Sequence, residues 1–519
     1  MIFKKMMRCL KNWKRSGIAI VLTGSLMLST VSCDKFLDVE SNHIVNESNK
    51  WKDINDIRSS LLGVYGLLRT ALAEKNAHWM YGELRSGDFQ SVSRRDLQNI
   101  IDGELNTSYD LLTNMSDWRR FYAVINAANL FIERSAEVIE HDSQYTTINN
   151  QADIAQMKVI KGFVYYLLAR TWGDVPIWDK AYEGTFPKIK ASSVNEVLTY
   201  AEKQILSVKD ALPYQYGVST DPVLPMDRYL GFSSSKWNGV LFNRLAAYAV
   251  LAHINAFEGN YLETVFYADF VMANAAKANL TQNDLNTLTG TTNTGFYFGN
   301  RAAHLLAFPF PNGSNEGTQE GHIESLTLAA PLVSKPTPDM FIPVEKIVSI
   351  FNEPGDNRFN IDNTGKVTTR YFSEFGGVRP IFSKIRMIRT GTSGTDGSIP
   401  LYTSTMVFTR YEEINLLRAE GYAALGQIDQ ARAIVNQNRK NRGLTDLNPA
   451  ENIVDAVFNE RHKELMGEGW RWFDLIRYQK IKNNNPEFLS LINSKGIFWP
   501  VNKQVLSAND QLEQNPFWK

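Results

Sequence analysis

Apolar residues recur at helical spacing along most of the chain. Ile154, Met157, Ile160, Val164 and Leu167 fall three or four positions apart, as do Tyr411, Ile414, Leu417, Gly421 and Leu425, the stripe that an amphipathic helix buries. Similar patterns predict helices over roughly 53–74, 109–141, 193–211, 237–257, 260–277 and 427–441, and a final pair between 451 and 479. At two places a small residue in one helix meets the next helix near a tight glycine turn, the spacing of a tetratricopeptide hairpin. These are Ala252, Gly259, Tyr261 and Ala268, then Ala419, Gly426, Ile428 and Ala431. The two glycines lie several repeat lengths apart, which predicts dispersed hairpins and no tandem array. Between about 280 and 400 the periodicity gives way to Gly, Thr, Ser, Asn and Pro, as in LTGTTNTGFYFGN and RTGTSGTDGSIP. Loops are expected there, with the apolar runs 304–310 and 405–408 as candidate strands. The predicted fold is mainly α, with a loop-rich region and a few short strands.

The N-terminus has another character. Lys4, Lys5, Arg8, Lys11, Lys14 and Arg15 precede an apolar run, 18–28, that is shorter than the roughly twenty residues needed to span a bilayer. Small residues Ser29, Thr30 and Ser32 then lead to Cys33. A lipoprotein signal over 1–32 is expected, with Thr30 where a leucine is usual, and Cys33 as the lipid-bearing mature N-terminus. Residues 33–50 are polar and read as an extended tether. The rest, 51–519, reads as one domain with a helical part to about 280, the loop-rich part to about 400 and a second helical part to the end.

Charge and chemistry narrow the function. The chain carries 55 basic and 55 acidic residues, and removing the basic signal leaves a mildly acidic protein with no face suited to nucleic acid. The only other cysteine, Cys9, goes with the signal, which excludes disulfides, thiol nucleophiles and thiolate metal sites. The histidines show no zinc spacing. Glu316, Glu320 and Glu324, in an irregular stretch, could hold a structural calcium ion; no other cofactor is implied. Glu460 and Glu464 stand one helical turn apart, as a glycosidase pair could. Arg461, Arg471, Asp474 and Arg477 are interleaved with them, which predicts a structural ion-pair network around a helix break at Gly467 and Gly469.

With 12% aromatic residues, some rings are expected to face ligand. Sugar rings stack on aromatic faces while arginine and amide groups meet their hydroxyls. Two irregular segments offer both: HWMYGELRSGDFQSVSRR, with Trp79, Tyr81, Phe89, Arg94 and Arg95, and GFYFGNR, with Tyr297, Phe298, Asn300 and Arg301.

Several segments, in order, resemble the SusD/RagB family of outer-membrane nutrient-binding lipoproteins. They are SCDKFLD at the processing site; ARTWGDVP, 169–176; EPGDNRF, with Asp356 and Arg358; RYEEINLLRAEGYAALG, 410–426; ERHKELMGEGWRWFDLIR; and FWPVNKQVLSANDQLEQNPFW, in which Phe517 replaces a family glycine. The resemblance implies a SusD-like helical fold with tetratricopeptide-like hairpins and no catalysis. It also implies a surface lipoprotein on the cell outer membrane, forming a lid over a SusC-type TonB-dependent transporter. The region after Glu83, Leu84, Arg85 and Asp88 resembles one that contributes to the family's ligand face. Glycan capture is the leading expectation and peptide capture the alternative. A surface glycoside hydrolase would need two free carboxylates facing a cleft, and a protein adaptor would show an exposed apolar groove without a small-ligand pocket.

Overall fold

A computed structural model describes residues 50–184, 186–310, 316–392 and 398–519. Cys33, the signal segment and nearly all of the tether lie outside these residues. Ten long helices carry the domain: α1 Ile54–Ala73, α2 Arg119–Arg134, α3 Thr147–Trp172, α4 Val194–Leu206, α5 Arg244–Glu258, α6 Tyr261–Asn274, α7 Tyr411–Ala424, α8 Ile428–Asn441, α9 Ile453–Glu464 and α10 Arg471–Lys482. Their starts follow local chemistry. The Asp53 carboxylate accepts the amides of Asn55 and Asp56 at α1, and Ser193 with Glu196 forms a capping box at α4. The predicted 109–141 helix is broken into Asp110–Met115, α2 and Glu137–His141. Asp117 causes the first break by accepting the Arg119 amide at 2.9 Å.

The helices stack in a continuous series. α2 lies on α1 and α3, α4 on α3 and α5, α6 on α5 and α7, and α9 on α7 and α8. The two glycine-turn hairpins, α5–α6 and α7–α8, are therefore neighbours, which corrects the expectation that they are dispersed. Gly421 explains the approach, since a Cβ there would sit 2.7 Å from Val265 Cγ2 on α6. Spacing along the chain missed this because residues 275–410 loop out between the hairpins and return. Gly259 and Gly426 take φ of 91° and 74°, the left-handed turn that an L side chain resists.

Among the described residues, six short strands lie in the looped-out region: β1 His304–Phe308, β2 Phe359–Ile361, β3 Val367–Thr369, β4 Phe372–Ser373, β5 Ile381–Phe382 and β6 Met406–Arg410. They pair antiparallel as β1–β6, β2–β3 and β4–β5. Both candidate strand runs are thus strands, and partners. β6 runs directly into α7, fixing the exit of the loop region to the second hairpin.

α3 is buried on nearly all sides, the mark of a central helix. Its Asp153, fully buried, accepts from the hydroxyls of Tyr145, at 3.0 Å, and Tyr229. Burial pushes the Asp153 carboxyl up to about 7 against the pull of these hydroxyls. The fold thus keeps a proton that the unfolded chain releases near pH ~4. Asp153 contributes most stability below that pH and loses it as the pH rises to about 7. Asp153→Asn is expected to remove this part of the pH dependence, gaining on the wild type by a few kcal/mol, to order of magnitude, at the alkaline end. Denaturant midpoints across this range check it: a variant curve parallel to the wild type's would show that Asp153 is ionised throughout.

Candidate functional site

Four of the aromatic rings expected at the ligand are core residues. Trp79, Tyr81, Phe89 and Tyr297 are at most 5% exposed. Trp79 packs edge-on against His78, Phe89 against Phe382, and Tyr81 against both Trp172 and Trp499. The Tyr81 hydroxyl donates to the Met115 carbonyl at 2.6 Å and accepts from Arg120. None of these rings offers a face to a sugar: Trp79 and Tyr81 stand on the short helix Ala77–Gly82, itself buried between neighbours, and Phe89 and Tyr297 are each 1% exposed. Phe298 is half-buried and bridges to Ser404. Asn300 donates to the Ser235 carbonyl at 2.6 Å, tying its loop to the short helix Ser234–Trp237, and Arg301 donates to the carbonyls of Phe298 and Asn293, bracing its own loop. Arg94 is held by Asp96, while Arg95 is exposed.

The three candidate calcium ligands do not converge either. Glu316 pairs with Arg69 at 2.8 Å and Glu320 with Lys75 at 2.7 Å. Glu324 is buried, accepts from Ser404 Oγ and the Met387 amide, and burial pushes its carboxyl up to about 7. Among the described residues, no group of three metal-binding side chains comes together.

The predicted ion-pair network is present, and larger than the sequence indicates. Glu464, fully buried, accepts from Arg358 at 3.2 Å, Arg410 at 3.1 Å and Arg442 at 2.8 Å. Although burial opposes its ionisation, these three guanidinium groups hold its carboxyl well below the usual range. Glu460 accepts from Arg358 and from Asn438, Glu468 from Arg410 and Lys384, and Asp356 from Arg358. A second knot joins Arg461 to Glu413 and Asp474, and Arg477 to Glu420 and Asp474. Arg471 stands apart, near Asp88 at 3.5 Å. Glu460 and Glu464 are therefore no catalytic pair. They bolt α9 to the start of β2, to β6 and to the end of α8, and so fix the loop region to the helical stack.

The Glu-Leu-Arg-x-x-Asp segment is an anchor too. Arg85 donates to the carbonyls of Ile497 at 2.7 Å and Gly496 at 2.9 Å, with its guanidinium 4.2 Å from the Trp472 ring centroid. Asp88 accepts from His462 at 2.6 Å and pairs with Lys346 at 3.3 Å.

What this anchoring presents is a surface where three irregular turns meet. Gln90 and Phe341 exchange backbone hydrogen bonds of 2.8 and 3.1 Å. Arg94 reaches Asp339 at 3.7 Å, and Lys335 pairs with the same carboxylate at 2.8 Å. The Arg379 guanidinium lies 5.8 Å from the Phe341 ring centroid. Beside these groups, Val92 is 67% and Val378 94% exposed. The surface thus combines apolar faces with planar donors, Arg95 and Arg379 having no carboxylate within ion-pair distance among the described residues. Following Phe341 along the chain, a polar cleft of 470 Å³ opens between the helix Val344–Ile350 and α9, bordered by Lys346, Glu353, Arg439, His462 and Lys463. Of this surface the sequence signalled only Arg94 and Arg95. Val92, Lys335, Asp339, Phe341, Val378 and Arg379 come from segments with no motif.

Comparison with known proteins gives a consistent result. A model of the SusD family matches residues 383–518, and one described as starch-binding and associating with the outer membrane matches 35–223. The SusD-like protein P38 of Formosa agariphila is 26% identical over 98% of this chain and 99% of its own length. A crystal structure of a SusD superfamily protein from Bacteroides thetaiotaomicron is 42% identical, with a TM-score of 0.82 covering 91% of this chain and 100% of that one. NanU of Bacteroides fragilis, at 17% identity and a TM-score of 0.68 over 91% of this chain and 98% of its own, shares the fold.

Proposed function

Because the chain belongs to the SusD family, we propose that it is a cell-surface lipoprotein that captures glycan oligomers and delivers them to a SusC-type TonB-dependent transporter in the outer membrane. Its attachment would come through lipid on Cys33; none of the described helices is long and apolar enough to cross a membrane. No catalytic step is assigned, since Glu460 and Glu464 are occupied by arginines.

The observation that carries the reading is the surface formed by the 90–96, 335–341 and 374–380 turns. Val92 and Val378 can meet the C–H face of a sugar while Arg95 and Arg379 donate to its oxygens from the edge. The first of these turns directly follows Asp88, which is held by His462 and Lys346, so less ordering is needed there when ligand arrives.

Calorimetric titration of the chain, purified in detergent, against oligosaccharides and mixed peptides tests this. Heat is expected from one glycan class, weakened about tenfold or more in an Arg95→Ala, Arg379→Ala double variant, as for lost hydrogen bonds from charged groups. Heat from peptides alone would replace glycan capture with peptide capture. Glycan binding that the double variant leaves intact would move the site elsewhere.

A further inference from the structure

Two clefts flank a contact between residues 186–192 and the C-terminal segment 501–519. Lys188 pairs with Asp510 across it at 3.2 Å, and Asn509 donates to the Ile189 carbonyl at 2.8 Å. On one side lies an aromatic cleft of 150 Å³ lined by Trp118, Tyr122, Trp178, Phe186, Pro187 and Leu512. Beyond the contact, the same two segments border a polar cleft of 400 Å³ that includes Lys190, Gln511 and Glu513.

The aromatic cleft holds a rigid platform. Phe186 lies parallel on Trp178, centroids 4.8 Å apart and planes 13° off, and Trp178 rests against Tyr122 at 4.6 Å. The Trp178 amide donates to the Tyr165 hydroxyl at 2.6 Å, and the Tyr122 hydroxyl to the Pro176 carbonyl at 2.6 Å. These bonds tie the loop's rings to α2 and α3. Phe186 nevertheless remains 47% exposed. At the polar cleft, Lys190 and Gln511 are exposed and make no side-chain hydrogen bond to another described residue.

We infer that these two clefts form a second glycan subsite, seating one sugar ring on the Phe186–Trp178 platform while Lys190 and Gln511 meet hydroxyls of the next. The inference rests on the proposed glycan capture but on none of the residues that carry it. The occupant follows from shape and chemistry. An apolar cleft large enough for a single small ring, with an ammonium and a planar amide beyond it, suits an oligomer of rings and leaves a protein helix too little apolar area.

The test is calorimetric titration of the full chain in detergent with oligosaccharides of increasing length from the glycan class that binds. A two-step isotherm is expected for wild type. Phe186→Ala should weaken one step about tenfold, the loss of one stacking contact, and leave the other unchanged. Lys190→Ala and Gln511→Ala, both at exposed positions away from the core, should weaken the same step. The Arg95→Ala, Arg379→Ala variant should keep it. A single-step isotherm at every length, or two steps that Phe186→Ala, Lys190→Ala and Gln511→Ala all leave intact, overturns the subsite while glycan capture stands. Silence toward every glycan removes both.

Discussion

Glu464→Ala is expected to destabilise the fold by about 3–5 kcal/mol, the usual cost of removing one partner from a buried ionic cluster. The magnitude follows from what remains. Arg358, Arg410 and Arg442 are each essentially inaccessible to solvent, and Glu464 is the one carboxylate that all three contact. Without it a small cavity opens where three guanidinium groups converge, and each remaining acid reaches only part of the cluster: Glu412 contacts Arg410 at 2.7 Å and Arg442 at 3.6 Å, Glu460 and Asp356 pair with Arg358, and Glu468 with Arg410 and Lys384. Denaturant unfolding of the variant checks this, and a loss under about 1 kcal/mol would mean that water or rearranged carboxylates compensate the cluster. The pH sense is opposite to that of Asp153. Carboxyls held down in the fold, Glu464 and also Glu413 at about 2, contribute stability above the unfolded value and lose it only as the pH falls toward their folded values.

Gly82→Ala is expected to be as damaging for a purely steric reason. An added Cβ would lie 1.8 Å from the Gly469 oxygen and 2.4 Å from its carbonyl carbon, and backbone cannot step aside as a side chain can. The turn it strikes is held on both sides, by His78 Nε2 on the Glu468 carbonyl at 3.0 Å and by the Gly469 amide donating to Glu83. Relief requires separating the helix Ala77–Gly82 from the turn before α10, which should cost more than about 3 kcal/mol. Gly63→Ala is the control: in α1, with nothing within 4 Å of the new Cβ, it should stabilise by about 0.5–1 kcal/mol. Melting temperatures that fail to separate the two variants would show that the contact at Gly82 is looser than described.

The long helices, both hairpins and the acid–arginine network were legible because each leaves a mark in local sequence. A helix of fourteen residues repeats its apolar stripe several times, and a buried carboxylate advertises itself when arginines stand one turn away. The hairpins' adjacency left no such mark, since it depends on Gly421 meeting Val265 after a long excursion. Nor did the orientation of single rings. The helix Ala77–Gly82 is too short to display a period, so Trp79 and Tyr81 read like loop aromatics although both point into the core. The anchoring role of Arg85 left no mark either: its acceptors, the carbonyls of Gly496 and Ile497, are backbone groups that no side-chain motif reveals.

The packing of α6 on α7 also sets an order of events during synthesis. The face of α6 that receives Gly421 has no partner until residue 411 and beyond have emerged, and Arg358 must likewise wait for Glu460 and Glu464. Until then the first hairpin has an apolar flank uncovered, the condition in which chains associate with one another. Truncation anywhere before α7 should produce aggregate in place of a smaller soluble protein.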